Sequence, residues 1–359
     1  MNEYLNCYDR SMRKVAILQN AYNIEETQEI NQLYQLTFSI PADDVKTEFL
    51  QAFCYIRWNE DGQLYRIKNR SYDYRDDSET LRIECEHVFA TLLDNVMFGE
   101  FTYGGGTVKT SDTIDYILGM QPVQNWVLDG CDFDRRFEYT WHHETLLNAL
   151  LGIPKEFGED YMWDFNTSVY PWRLYLRKLD GTILPEFYIR AEQNLLGSTD
   201  DRNFTSIFTR IYGLGGTDEE GNQLTIESVN DGQPYLEAPA DIIQKYGLIE
   251  YILIDQRFTN PETLKAYMSA LLTRAVEPGM SRSFDVVDLY PLTNSDINRA
   301  RVGALTKFTR DDTVVFITKT TRVLDEPGNL NIEFATYAGN LTDIITDLSE
   351  AVHIQSAYT

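Results

Sequence analysis

Two stretches of the chain, one near each end, alternate between apolar and polar positions in the same way. In the first, GQLYRIKNRSYDYRDDSETLRIECEHVFATLLDN, Leu64, Arg66 and Lys68 alternate with Tyr65, Ile67 and Asn69 at the two-residue period of a strand. Arg75-Asp76-Asp77-Ser78 then supplies turn chemistry before a second strand and a short helix. The second stretch, DTVVFITKTTRVLDEPGNLNIEFATYAGNLTDII, lays Asp325 on Asp76, Leu330 on Leu81, Ile332 on Ile83, Glu333 on Glu84, Leu341 on Leu92 and Asp343 on Asp94. Ile317 falls on Ile67 if the turn loses one residue. The copies lie too far apart for a short-period solenoid, so the pattern predicts a duplicated β-domain, each copy reading strand, turn, strand, helix.

The pattern elsewhere fills in the rest. Pro41-Ala42-Asp43-Asp44 opens a short helix with a proline and first-turn acids, and Val45, Phe49, Leu50 and Phe53 form its expected buried face. The run Tyr103-Gly104-Gly105-Gly106-Thr107 reads as a hinge, since it lacks the GxxxxGK[ST] pattern of a phosphate-binding loop. Helices are expected over Ser111 to Leu118, ended by Gly119, and Thr140 to Leu151, ended by Gly152 and Pro154. Strands are expected over Tyr161 to Phe165 and Trp172 to Leu176, with an Asp180-Gly181 turn after them. Ser206 to Tyr212 and Gln223 to Ser228 read as a hairpin with an acidic tip at 215–222. Two helices follow, Pro239 to Tyr246 and one opened by Asn260-Pro261-Glu262, whose Leu264, Tyr267, Met268, Leu271 and Leu272 recur at helical spacing. Ser283 to Leu289, Arg301 to Phe308 and Thr313 to Val323 return to strands, and Asn340 to Ala351 make a last short helix. The predicted class is α+β, mainly β, and the 359-residue length exceeds what one core supports.

Charge narrows the function. Against 31 Lys and Arg stand 56 Asp and Glu, a formal net charge of −25, whereas phosphate binding needs concentrated cations. No apolar run approaches a membrane span, and MNEYLNCYDRSMRK lacks a signal peptide's apolar stretch, so the expectation is a protein that stays in the cytoplasm where it is made.

Cys7, Cys54, Cys85 and Cys131 form no CxxC pair, and His87, His142, His143 and His353 no HExxH spacing, which points to no metal site. Cys54 and Cys85 lie in strand patterns and read as core. The chain has no GxSxG elbow. Only Cys131 with His142 or His143 offers the elements of a thiol nucleophile and base, and His142-His143-Glu144 reads better as the start of a helix whose dipole the glutamate stabilises. Acidic pairs for glycoside hydrolysis are too numerous to point anywhere. No catalytic, cofactor-binding or metal-ligating residue is assigned.

Leu36-Thr37-Phe38-Ser39-Ile40-Pro41, the Tyr65-Arg66-Ile67-Lys68 strand, Glu86-His87-Val88 with Leu92-Leu93-Asp94, and the closing strand and helix around Ile332 to Ile345 resemble the tail hub proteins of long-tailed phages and prophages, often labelled prophage endopeptidase tail or tail-associated lysin. Ala191-Glu192-Gln193-Asn194-Leu195-Leu196 and Thr209-Arg210-Ile211-Tyr212-Gly213 are similar to the middle of that family. The resemblance implies two tail-tube-like β-barrels, with residues 1–98 as the first, 99–200 as an α+β middle domain, 201–345 as the second with a helical insertion near 239–275, and 346–359 as an extension. It implies a homotrimeric baseplate hub at the virion tail tip, assembled in the host cytoplasm, whose neighbours are the distal tail ring, the tape-measure protein and receptor-binding or fibre proteins. DNA would pass an acidic channel without being held. Family members that cut cell wall carry the lytic module as an extension beyond the hub, so the expectation is a structural protein. The alternatives are a wall hydrolase active in the middle domain and a fibre or carbohydrate-binding module using exposed tryptophans among Trp126, Trp141, Trp163 and Trp172.

Overall fold

Alternation becomes strand because it puts one set of side chains into a core: in Gln35–Pro41, Leu36, Phe38 and Ile40 are buried while the residues between them face outward. The computed structural model describes residues 4–335 apart from breaks at 60–61, 76–77, 158, 204–206, 218–220, 257, 259, 277–278, 294–298, 326–327 and 329. In chain order the first elements are β1 (Leu5–Tyr8), β2 (Lys14–Leu18), β3 (Tyr22–Glu29), β4 (Gln35–Pro41), β5 (Tyr55–Trp58), β6 (Leu64–Arg75), β7 (Ser78–His87) and β8 (Val96–Gly104). Next come α1 (Thr110–Leu118), β9 (Trp126–Cys131), β10 (Glu138–Thr145), α2 (Leu146–Gly152), β11 (Tyr161–Asn166), β12 (Trp172–Lys178), β13 (Phe187–Ile189) and β14 (Leu195–Asn203). The last are β15 (Arg210–Leu214), β16 (Tyr235–Glu237), α3 (Ala240–Tyr246), β17 (Glu250–Ile254), α4 (Pro261–Ala275), β18 (Gly279–Val286), β19 (Leu305–Phe308), β20 (Thr313–Val323) and β21 (Leu330–Ala335).

The chain forms two compact units, the first from Met1–Thr199 and Arg282–Phe334 and the second from Asp200–Ser281 and Ala335–Thr359. The first is built on a 13-stranded sheet in the order β14-β18-β21-β20-β3-β4-β7-β6-β5-β1-β2, with β19 beside β20 and β13 beside β19. Its larger core gathers Phe38, Ile56, Leu81, Phe89 and Trp126 with α1, α2 and the small sheets β8-β10 and β9-β12-β11. A smaller core holds Phe284, Val286, Phe308, Ile317, Ile332 and Phe334. The sheet is an open path, so neither of the two expected barrels closes among the described residues. The physical reason lies in β3, which takes β20 as its neighbour and so joins the two copies edge to edge.

The second unit is a three-stranded sheet, β16-β15-β17, with α4 against it. Leu264, Met268, Leu271 and Leu272 are buried on Ile211 and Leu253, as their helical spacing predicts. The expected hairpin is different: β15 pairs with β16 and, in parallel, with β17, while the expected second arm is joined to the residues after β15 by Gly215 N donating to Leu224 O, Leu224 N donating to Gly216 O and an isolated bridge between Thr217 and Gln223. Part of its acidic tip, the closing helix at 340–351 and the extension at 346–359 fall outside the described residues.

Three local expectations also change. The Pro41 helix is a short 3₁₀ turn, Val45–Phe49, capped by the Asp44 carboxylate. With three residues per turn its apolar face drifts, leaving Leu50 buried but Val45 and Phe53 exposed. Thr140 to Thr145 continue strand β10, with Tyr139 and Trp141 inward, and the helix starts only at Leu146, where the Thr145 hydroxyl accepts from Asn148 N. At the triple glycine, Gly104 has φ 116° and its missing Cβ would lie 2.2 Å from Phe137 O, while Gly105 N donates to that same oxygen at 3.0 Å. Gly104 therefore serves a close backbone approach.

Candidate functional site

The duplication is visible rung by rung. Along β6 and β7, Tyr72 stands opposite Leu81, Arg70 opposite Ile83, Asn69 opposite Glu84 and Ile67 opposite Cys85, with the extra residue Lys68 making a bulge. Along β20 and β21, Arg322 stands opposite Leu330, Thr320 opposite Ile332, Lys319 opposite Glu333 and Ile317 opposite Phe334, with Thr318 as the extra residue. Both hairpins therefore bulge after the same isoleucine. The next rungs repeat too: Tyr55, Ile56 and Arg57 of β5 face Arg66, Tyr65 and Leu64, as Leu305, Thr306 and Lys307 of β19 face Phe316, Val315 and Val314. Each copy has one strand order, β3-β4-β7-β6-β5-β1 in the first and β14-β18-β21-β20-β19-β13 in the second. They diverge at the last position, where β1 runs antiparallel to β5 but β13 parallel to β19.

The junction between copies is chemically specific. Lys319 to Val323 of β20 pair with Glu29 to Glu25 of β3, so that Lys319 faces Glu29 and Arg322 faces Glu26. Ile30 N donates to Thr318 O, at the bulge. The Asp325 carboxylate accepts from Asn23 N at 2.7 Å and Ile24 N at 2.8 Å, closing the start of β3. Glu26 is buried and accepts from the buried Tyr65 hydroxyl at 2.7 Å. Burial, and then this carboxylate, hold the Tyr65 hydroxyl well above its usual range.

Beneath the first hairpin His87 is fully buried among Tyr34, Phe165 and Trp126. Its Nδ1 accepts from Phe89 N at 3.3 Å, capping the 3₁₀ turn Val88–Asp94, so the proton sits on Nε2, which donates to Gln63 Oε1 at 3.2 Å. Burial pushes its pKa down to about 3. Arg66 is anchored nearby by Glu86 at 2.8 Å and by Ala90 O at 3.2 Å. The sequence motif contains His87 without giving it a role, and β3 escapes the sequence reading, although Ile24 and Glu26 already alternate with Glu25 and Thr27.

The hydrolase elements do not form a catalytic pair among the described residues. Cys131 lies on β9 and its Sγ contacts Phe133 O at 3.4 Å, with burial pushing the thiol up, the wrong direction for a nucleophile. His142 and His143 lie on β10, in a different sheet, and the His143 Nδ1 accepts from Gly99 N at 3.2 Å beside the Phe98 ring. Cys54 and Cys85 are buried, as core cysteines are. Among the described residues no group of three or more His, Cys, Asp and Glu side chains is placed to hold a metal ion, and no helix is long and apolar enough to cross a membrane. The tryptophans exclude a sugar platform of exposed indoles: Trp126, Trp141, Trp163 and Trp172 are all at most 5% exposed. Trp126 Nε1 donates to Thr91 Oγ1, and its ring packs 5.4 Å from that of Trp172.

Two family models match the chain: prophage endopeptidase tail over residues 185–345, and the prophage endopeptidase tail N-terminal domain over residues 5–87. Among solved structures, the prophage tail protein gp18 from Listeria monocytogenes EGD-e is 15% identical with a TM-score of 0.63, the match covering 98% of this chain and 99% of that one. The tail protein from Neisseria meningitidis MC58 is 11% identical with a TM-score of 0.66, over 93% and 97% of the two chains. Escherichia coli c3393, described as a type VI secretion component with structural similarity to the T4 tail proteins gp27 and gp5, is 10% identical with a TM-score of 0.51, over 89% and 74%. These likenesses show a shared fold. No curated protein matches in sequence.

Proposed function

Because the chain belongs to the prophage endopeptidase tail family, we propose that it is a structural protein of a phage-type tail, the homotrimeric baseplate hub at the tail tip. The observation that carries this reading is the duplication. A chain that presents the same strand order and the same bulge twice offers two quasi-equivalent faces, and three such chains offer six. That is what a joint between a hexameric tube or distal ring and a three-fold spike or fibre requires. The two copies act as the tail-tube-like halves, and their barrel-like wall is completed by neighbouring chains rather than within one. The tape-measure protein and the receptor-binding or fibre proteins are its other neighbours, and assembly takes place in the host cytoplasm.

The net charge of −25 supports a channel that lets DNA pass without holding it, because no counterion release rewards contact with an acidic wall. The role is structural and needs no cofactor. The test is a native mass measurement on the purified protein. A species of three times the 41.6 kDa chain is expected; a protein that stays monomeric at micromolar concentration would overturn the hub reading.

A further inference from the structure

The sheet of the second unit has helix α4 on one face and an apolar surface on the other. Side chains alternate along β15, so Ile211 turns in toward α4 while Arg210, Tyr212 and Leu214 turn to the opposite face. Strand register sets their neighbours: Tyr212 stands between Tyr235 of β16 and Ile252 of β17, Arg210 between Glu237 and Glu250, and Leu214 beside Ile254. The outer face is thus one row of two carboxylates around a guanidinium, followed by a platform of Tyr235, Tyr212, Ile252, Leu214 and Ile254. The Tyr212 and Tyr235 rings meet edge to face at 5.5 Å. Arg210 lies 4.3 Å over the Tyr235 ring and donates to Glu237 at 3.0 Å and Glu250 at 2.7 Å. None of the five platform side chains packs into a hydrophobic core among the described residues, and Ile252 and Ile254 are 57% and 39% exposed. A sheet face that meets water is polar, and parallel strands such as β15 and β17 are ordinarily covered on both faces.

We propose that this face receives an amphipathic helix of a partner protein, its apolar stripe on Tyr212, Tyr235 and Ile252 and its flanking lysines or arginines against Glu237 and Glu250. The outer strands of a three-stranded sheet lie about 10 Å apart, the width that one helix covers, as α4 does on the other face. Charge selects the sign of the partner. Arg210 offsets one of its two carboxylates, and over residues 200–281 Asp and Glu outnumber Lys and Arg more than two to one, so the surface attracts a basic stripe and repels an acidic one. The helix expected at Asn340 to Ala351 of this chain does not fit, because its charged residues, Asp343, Asp347 and Glu350, are all acidic.

The probe is a labelled synthetic helix of about 18 residues with leucines at heptad spacing and lysines beside them, titrated with the full chain at about 0.15 M salt. Two further peptides carry glutamate for each lysine, or serine for each leucine. Only the peptide with both lysines and leucines is expected to bind. Ile252→Glu adds a negative charge and would tighten a purely electrostatic contact; instead it is expected to weaken binding about tenfold or more. Glu250→Lys is expected to weaken the basic peptide and admit the acidic one. Circular dichroism and native mass check that each variant keeps the wild-type fold and oligomeric state. Equal binding of the serine peptide, or unchanged or tighter binding by Ile252→Glu, would overturn the proposal, as would a change of oligomeric state in Ile252→Glu, which would make the face a contact between copies. The hub reading stands or falls separately, on the mass of the wild-type protein.

Discussion

At the scale of single residues the fold depends on buried polar groups held by hydrogen bonds. His87 titrates near 6.5 in an unfolded chain and near 3 in the fold, so between these values the unfolded state binds the extra proton. Stability is therefore complete above about pH 6.5 and falls as pH drops toward 3, by at most about 1.4 kcal/mol per unit. Urea unfolding at pH 7.5 and pH 5.0 is expected to differ by about 2 kcal/mol, and His87→Gln is expected to flatten that difference. Tyr65→Phe, which strips the buried Glu26 of its donor, is expected to cost about 1–3 kcal/mol in the same assay. Gly104→Ala forces a side chain onto a backbone at φ 116° and against Phe137 O; a loss of about 1–3 kcal/mol is expected. On purified cell wall no soluble fragments are expected, and Cys131→Ala and His143→Ala should change nothing. Release of fragments that either substitution abolished would restore the hydrolase.

At the scale of elements, the Asp325 carboxylate ties the end of the last hairpin to the start of β3. Asp325→Ala is expected to cost about 1–3 kcal/mol in urea unfolding and to speed hydrogen exchange at Asn23 and Ile24; unchanged exchange there would show the tie to be idle. The hairpins themselves are legible in sequence, because alternation reports directly on which face is buried, whereas the bulge, which both copies share, leaves no mark there: the one-residue offset between Ile317 and Ile67 arises in the turn, between Tyr72 and Leu81 in one copy and Arg322 and Leu330 in the other. The α4 stripe is legible for the same reason. What sequence does not show is pairing between distant strands. Nothing in Glu25-Glu26-Thr27 announces that its neighbour is Thr321-Arg322-Val323, and so the halves of one joined sheet read as two separate barrels. The His142-His143-Glu144 stretch misleads because strand β10 runs straight into α2, and only the Thr145 cap marks the change.

At the scale of the whole molecule, charge and chain order dominate. Chains carrying −25 each repel one another over a Debye length of roughly 30 Å at 0.01 M salt but only roughly 8 Å at 0.15 M. Under the proposed hub reading, the trimer fraction is therefore expected to rise with added salt in sedimentation, and a fall would mean that ion pairs between chains outweigh the repulsion. Duplex DNA should not be retained even at low salt; a shifted band in a gel would contradict an acidic channel. The pairing of β3 with β20 has a further consequence in time, since Asp325 lies 301 residues after Ile24, whose amide it accepts. A ribosome adding about 5–20 residues per second leaves β3 without this neighbour for on the order of tens of seconds. During synthesis the nascent N-terminal copy thus presents a bare β3 edge that only its own C-terminal copy silences, and tail proteins accumulating side by side in one cell are exposed, in that interval, to capture by each other's late strands.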